Sequence, residues 1–295
     1  MEFIVDIFKV IVLSFVEGVT EFLPVSSTGH LILVNNMVKL SPDAFANAFN
    51  VIIQLGAILS VVVVFFDRLN PFSEKKMNME KLPQKYERWN KQTKLYYRIK
   101  HYDKKTIELW KKVIIGVLPA VVLGLLFDDY IDVHLMNTHT VTTTLILYGI
   151  VIIVMEVLNG KKKSFRFETT DDLDYKTAFI IGLFQCLAMV PGTSRSAATI
   201  IGAMILGSSR LAAAEFSFFL AIPTMIGATL LKVVKNVGAF SGLQWLLVLI
   251  GFILSYMVAY VVIKKFMSYI QKNDFKVFGY YRLVLGAILL ITLLF

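Results

Sequence analysis

Two carboxylates four residues apart, Glu17 and Glu21, stand just ahead of Pro24 in an otherwise apolar stretch. On a helix that spacing puts both on one face. Each charge at membrane depth costs about 2.5 to 3.5 kcal/mol on insertion scales, so two together require a cation, a proton or a polar cavity. A divalent metal shared with phosphate oxygens is the sharper reading; a solvated pair at a helix end is the plainer one. After Pro24 come Ser26, Ser27 and Thr28, then His30. One hydroxyl suffices to cap a new helix, and that alone would account for Ser26. Three in a row followed by a histidine exceed what a cap needs. Histidine is the one side-chain type here that ordinarily titrates near neutrality, which suits nucleophilic or acid–base work.

A second constellation follows at Pro191-Gly192-Thr193-Ser194-Arg195-Ser196. Pro191 and Gly192 end one half-helix, Thr193 or Ser194 caps the next, and Arg195 falls in its first turn. Free amides, the positive end of a helix dipole and a guanidinium then converge, which makes an anion site suited to phosphate. The alternative is a structural arginine paired with Glu17 or Glu21. Gln185 faces the same region and could orient phosphate or water, or serve as a helix-packing amide.

The elements that must position these residues are membrane helices. Of 295 residues 57% are hydrophobic, and the mean hydropathy of +0.69 excludes an ordinary water-soluble domain. Residues 67 to 112 hold 14 basic and 6 acidic side chains, so this block carries +8 of the net +9. One basic block among apolar runs indicates a polytopic membrane protein, with no nucleic-acid partner. The single cysteine, Cys186, rules out an intrachain disulfide and a cysteine metal site. The start of the chain, with Glu2 and Asp6 in place of a basic region, reads as mature structure.

Six apolar runs are long enough to cross: 44–66, 110–127, 141–158, 211–231, 243–263 and 279–295. Residues 3–40 and 177–208 are also apolar but broken at the two motifs, and each half is too short to cross alone. Broken backbone at membrane depth must be buried in protein or line a wet cavity, so both regions are expected to be re-entrant helix pairs. Basic loops mark the cytoplasmic side. The block 67–112, the stretch 160–176 and the stretch 264–276 then lie inside, while 128–140, with Asp128, Asp129 and Asp132, lies outside; Lys232 and Lys235 are outer exceptions at a helix end. The first break enters from outside and the second from inside. Residues 1–158 and 177–295 are therefore expected to be inverted repeats of one membrane domain, with Pro24-x-Ser26-Ser27 aligned on Pro191-x-Thr193-Ser194 and the two breaks meeting at mid-membrane.

Other features have plainer readings. Asp128, Asp129, Asp132 and His134 resemble metal ligands but read as solvated loop residues. Glu156 and Glu215 are expected to reach the headgroups, and Phe65, Phe66, Tyr280 and Tyr281 to join an interfacial belt. Met residues look like packing.

The motifs Glu17-Gly-Val-Thr-Glu21-Phe-Leu-Pro-Val-Ser-Ser-Thr-Gly-His30 and Pro191-Gly-Thr-Ser-Arg-Ser-Ala-Ala-Thr199 resemble those of the undecaprenyl pyrophosphate phosphatase family, also called bacitracin-resistance proteins. The similarity covers nearly the whole chain in segment order. It implies an enzyme of the bacterial cytoplasmic membrane that hydrolyses undecaprenyl diphosphate to undecaprenyl phosphate, the lipid carrier for peptidoglycan and other envelope sugars, and inorganic phosphate. It further implies a divalent metal, Mg²⁺ or Ca²⁺, at Glu17 and Glu21, active-site roles for Ser27 and His30, and contact of Ser194 and Arg195 with the diphosphate. One scheme makes His30 the nucleophile assisted by Glu21; another has a carboxylate or Ser27 activate the attack. Expected partners are the polyprenyl diphosphate and membrane lipids, with a homodimer left open and the site facing outward. The block 67–112 is longer and more basic than expected between these crossings, and its lysine-rich face is expected to adhere to anionic lipid. A lipid flippase or transporter is the rival from another class, since broken helices in inverted repeats are a transporter architecture. A carrier needs the cationic binder but not His30, Ser27 and Glu21 opposite it. A purely structural scaffold would not need two buried acids beside an arginine.

Overall fold

The computed structural model describes residues 2–77, 82–83, 85–160, 164–236 and 240–294. Among these are twelve α-helices: α1 (Glu2–Thr20), α2 (Ser27–Met37), α3 (Asp43–Val64), α4 (Phe66–Leu69), α5 (Lys91–Lys100), α6 (Lys104–His134), α7 (Thr138–Asn159), α8 (Tyr175–Cys186), α9 (Arg195–Ile205), α10 (Arg210–Asn236), α11 (Gly242–Ile270) and α12 (Lys276–Leu294). The described residues contain no strand, only an isolated bridge between Phe167 and Ser208. Helices α3, α6, α7, α10, α11 and α12 each hold a stretch apolar and long enough to span a bilayer. Their outer faces carry exposed Leu125, Val133, Val154 and Val284, which suits lipid as the surrounding solvent.

Helix starts follow local chemistry. Asn90, Asp103, Asn137, Asp174 and Ser241 each accept a backbone amide as N-cap of α5, α6, α7, α8 and α11. At Asp174 the Thr177 amide and hydroxyl hold the carboxyl below its ordinary range, so the cap stays ionised well into acid. One boundary departs from expectation. Residues 128–134 continue α6 instead of forming a loop, because no Gly or Pro interrupts the run before the Asn137 cap. The side chains of Asp128, Asp129, Asp132, Lys232 and Lys235, and residues 161–163 of the second basic stretch, lie outside the described residues.

The helix pairs come in matching sets. Helix α1 packs on α11 as α8 packs on α6; α3 packs on α11 as α10 packs on α6; α1 meets α2 as α8 meets α9; α3 pairs with α10 and α7 with α12. Exchanging α1, α2, α3, α6, α7 for α8, α9, α10, α11, α12 maps these pairs onto one another, which is consistent with an inverted duplication, while the packing of α9 on α10 has no comparable α2/α3 partner among the described residues. At the α6/α8 contact the backbones touch: a Cβ on Gly182 would sit 2.1 Å from the Gly116 carbonyl oxygen. Phe22, Phe216, Phe218, Phe219 and Phe266 centre the larger core, which lies directly under the breaks.

Two peripheral readings need correction. Glu156 does not reach the headgroups: it is 1% exposed, Arg210 Nε and Nη2 grip it at 2.9 and 2.5 Å, and the Phe275 amide donates to it at 3.0 Å. Phe65 packs edge-on against Phe219; Phe66, Tyr280 and Tyr281 are exposed as an interfacial belt would have them, with the Tyr281 hydroxyl also meeting His30.

Candidate active site

Each break is built the same way. Helix α1 stops at Thr20, Pro24 blocks its continuation, and α2 starts after Ser26, whose φ of 76° is left-handed and whose Oγ accepts the Gly29 amide at 3.1 Å. Helix α9 starts after Ser194, with φ of 74° and Oγ accepting the Ala197 amide at 3.2 Å. These are the two non-glycine residues with positive φ among those described. Such a conformation costs of order 1–3 kcal/mol and persists where surroundings over-determine it. The equivalence corrects the expected alignment. Ser26 matches Ser194, not Thr193, because the second break carries one extra residue between its proline and its cap. Gly192 takes the added turn at φ +86°, where a Cβ would lie 2.1 Å from Thr144 Oγ1.

The two breaks meet. Glu21, in the turn after α1, keeps its amide bonded to the Glu17 carbonyl at 3.0 Å, so the two acids stay on one face. Glu21 Oε2 accepts the Ser27 hydroxyl at 2.7 Å and Oε1 accepts Arg195 Nη2 at 2.7 Å. Arg195 Nη1 donates to the Ser217 carbonyl of α10 at 3.0 Å, while its Nε is buried without a partner. Ser196 Oγ donates to the Leu23 carbonyl at 3.0 Å, a second brace between the breaks. The structural pairing of Arg195 with an acid is thus present, and the anion-site geometry with it: a buried guanidinium in the first turn of a capped helix, with its Nε–H still free.

Glu17 is fully buried, and its carboxyl oxygens meet no donor beyond the neighbouring Glu21 carboxyl. An ionised carboxylate is not left so without a cation or proton nearby. No group of three or more His, Cys, Asp or Glu gathers to form a ready-made metal cage among the described residues. Two adjacent acids, one of them orphaned, do match a Mg²⁺-type site completed by waters and substrate phosphate.

The remaining predicted residues are placed differently. His30 points away from Glu21: Nδ1 lies 2.7 Å from the Ser26 carbonyl and Nε2 2.6 Å from the Tyr281 hydroxyl. The carbonyl can only accept, so in the neutral ring Nδ1 carries the proton and Nε2 accepts from Tyr281. Thr28 is half-buried on the first turn of α2. Thr193 is buried beside Tyr148. Gln185 Nε2 donates to Thr224 Oγ1 of α10 at 3.4 Å, and its Oε1 is buried without a partner.

Sequence reasoning missed Arg282. It is 0% exposed on α12 and donates to the carbonyls of Pro24 (3.3 Å), Gly192 (2.7 Å), Thr144 (3.1 Å) and Leu145 (3.3 Å), with no carboxylate partner among the described residues. One guanidinium thereby ties both breaks to α7. The signal was present: a lone arginine in an apolar crossing is functional by default. Arg282→Met leaves the Pro24 and Gly192 carbonyls without their donor, at about 1–3 kcal/mol each. A clear drop in detergent thermal stability is expected, partly recovered by Arg282→Lys; a Met variant with the parent melting temperature would show that the carbonyls do not depend on it.

A family model described as "Bacitracin resistance protein BacA" matches residues 10–288. The chain is 48% identical over 288 residues to Undecaprenyl-diphosphatase 1 of Clostridioides difficile (strain 630), covering 97% of this chain and 96% of that protein. It is 50% identical over 292 residues to the Undecaprenyl-diphosphatase of Fusobacterium nucleatum subsp. nucleatum, covering 96% and 99%. To that of Limosilactobacillus fermentum it is 48% identical over 289 residues, covering 97% and 96%.

Proposed function

The chain belongs to the bacitracin resistance protein family, and on that premise we propose that its two breaks form the catalytic centre of a multi-pass membrane enzyme that hydrolyses undecaprenyl diphosphate to undecaprenyl phosphate and inorganic phosphate. The observation that carries the assignment of the site is the Arg195–Glu21–Ser27 cluster beside an orphaned Glu17. A carrier would need the guanidinium alone. The hydroxyl held on a carboxylate is what hydrolysis adds, and the relatives carry a hydrolase name.

Phosphoryl transfer depends mainly on positioning and electrostatics. Arg195, with its free Nε and the amides at the start of α9, receives the diphosphate oxygens. Ser27 Oγ attacks the terminal phosphorus while its proton passes to Glu21 Oε2; the bond to the bridging oxygen breaks and undecaprenyl phosphate leaves. Water then attacks the phosphorus of the Ser27 phosphoester; the bond from phosphorus to Ser27 Oγ breaks, Oγ takes back the proton held on Glu21, and inorganic phosphate leaves carrying the water's protons, which restores both groups. Glu17 and Glu21 would hold Mg²⁺ or Ca²⁺, whose contribution is neutralisation of phosphate charge. His30, held by Tyr281, positions the first turn of α2. The positive-inside count and the inverted-repeat reading put the mouth of the first break on the outer side of the bacterial cytoplasmic membrane, and a homodimer is left to measurement.

The test is inorganic phosphate released from a polyprenyl diphosphate in detergent, with Mg²⁺ or Ca²⁺ against chelator. Metal-dependent release is expected, and none from well-folded protein under either metal would sink the reading. A second measurement isolates the metal. A ligand at a hundred times its Kd stabilises by about 2.7 kcal/mol, so either ion should raise the melting temperature of the parent. Glu17→Gln should abolish that rise and raise the metal-free melting temperature, because it removes a buried acid that must be neutralised on folding. An unchanged metal-induced rise in Glu17→Gln would take the ion elsewhere.

A further inference from the structure

The basic block contains a cavity of about 260 Å³ outside the catalytic centre, between the α5 helix and residues 71–77. Ser73, Lys76, Arg98, Tyr102 and Lys104 are among the residues that line it. Helix α5 has two faces. Lys94, Tyr97, Arg98 and His101 lie on the inner one: Tyr97 packs on Tyr86 and Trp89 at 5.7 and 5.4 Å, Lys94 covers the Tyr86 ring at 5.0 Å, and His101 stacks on Tyr97 at 4.0 Å. Leu95, Tyr96, Ile99 and Tyr102 lie on the other, 45%, 69%, 49% and 44% exposed. That outer stripe ends at Tyr102, two residues before Lys104, where the spanning helix α6 begins.

The cavity's charges are unevenly committed. Lys76 is spent: its ammonium donates to the Arg68 carbonyl at 2.8 Å and Thr106 Oγ1 at 2.5 Å, and stands 3.6 Å from Asp103. Lys76 therefore offsets the Asp103 carboxylate on the cavity wall. Arg98 reaches only a loose ion pair with Glu74 at 3.8 Å, and its Nε is buried without a partner. Lys104 makes no ion pair among the described residues. Two cations with unused donors thus face a polar cavity whose rim, at Tyr102, continues into the exposed apolar stripe of α5.

We propose that this cavity binds the phosphate of an anionic phospholipid headgroup, with the Leu95, Tyr96, Ile99 and Tyr102 stripe seated among the acyl chains of the same leaflet. Arg98 and Lys104 supply the charge. The stripe supplies the preference for a lipid over a free phosphate, since an inorganic ion leaves it in water. The stripe's end, two residues before the spanning helix α6, and the basic character of the block both match that partner.

The test uses the full-length protein in neutral phosphatidylcholine nanodiscs doped with a photoactivatable phosphatidylglycerol, followed by peptide mapping. Crosslinks are expected in residues 71–77 and 95–104, displaced by unlabelled phosphatidylglycerol but not by phosphatidylcholine or inorganic phosphate. A basic residue near an anionic surface is worth roughly a fivefold change in binding, so Arg98→Gln/Lys104→Gln should weaken labelling about 20-fold. Arg98→Lys/Lys104→Arg should keep it within a few-fold. Phosphate release in detergent should be unchanged in both, which also shows that the variants fold. Equal labelling of parent and Gln variant, displacement by phosphatidylcholine, or displacement by inorganic phosphate would each overturn the proposal.

Discussion

Arg195→Ala is expected to lower kcat/KM for a polyprenyl diphosphate by about 10³-fold or more, the range found when a transition-state arginine is removed. Arg195→Lys keeps the charge but loses the planar fork, so recovery should be small. Part of any loss is structural, because the alanine leaves Glu21 buried with only Ser27 as donor. The two contributions separate by stability and by binding. Glu21→Gln with Arg195→Ala removes both charges and should restore melting temperature towards the parent, which isolates the structural part, while turnover stays lost because Glu21 is also the base for Ser27. If Arg195→Ala bound a non-hydrolysable polyprenyl diphosphate analogue as tightly as the parent, Arg195 would be a structural counter-ion and the anion-binding role would fall.

Ser27→Ala should be at least as severe, about 10³-fold or more in kcat, if its hydroxyl is the attacking group. The 2.7 Å bond to Glu21 gives the hydroxyl a base, whereas both His30 nitrogens are engaged by Ser26 and Tyr281. His30→Ala is accordingly expected to cost less than Ser27→Ala. Tyr281→Phe should resemble a mild version of His30→Ala, because it removes the hydroxyl that holds the ring. Rapid quench with radiolabelled terminal phosphate offers a direct view: label retained on the parent and absent from Ser27→Ala supports the serine route. Label retained at His30, or a His30→Ala loss exceeding that of Ser27→Ala, would move the nucleophile to the imidazole.

Much of this architecture is legible without coordinates because a bilayer permits few solutions. Six apolar runs became six spanning helices, and both breaks fall where proline and consecutive hydroxyls interrupt an apolar stretch. Glu17, Glu21, Ser27 and Arg195 converge as charge economy requires. What failed was finer. The register of the second break depended on whether Gly192 adds a residue to the turn, which φ decides and composition does not. The residue type of His30 suits catalysis, but composition does not show its direction, which is set by the Ser26 carbonyl one turn back and by a tyrosine 251 positions away. Arg282 was hidden by the apolar run around it, and Glu156 was judged by its place near a helix end without its Arg210 partner.

The Arg282 clasp bears on how the enzyme is made. Helix α12 follows both breaks in the chain, so a ribosome delivers Pro24 and then Gly192 to the membrane well before the guanidinium that satisfies their carbonyls. Until α12 inserts, the two turns are joined by Arg195–Glu21 and Ser196–Leu23, but the Pro24 and Gly192 carbonyls lack their shared donor. A chain released before α12 is therefore expected to sit in the bilayer with its two turns incompletely held.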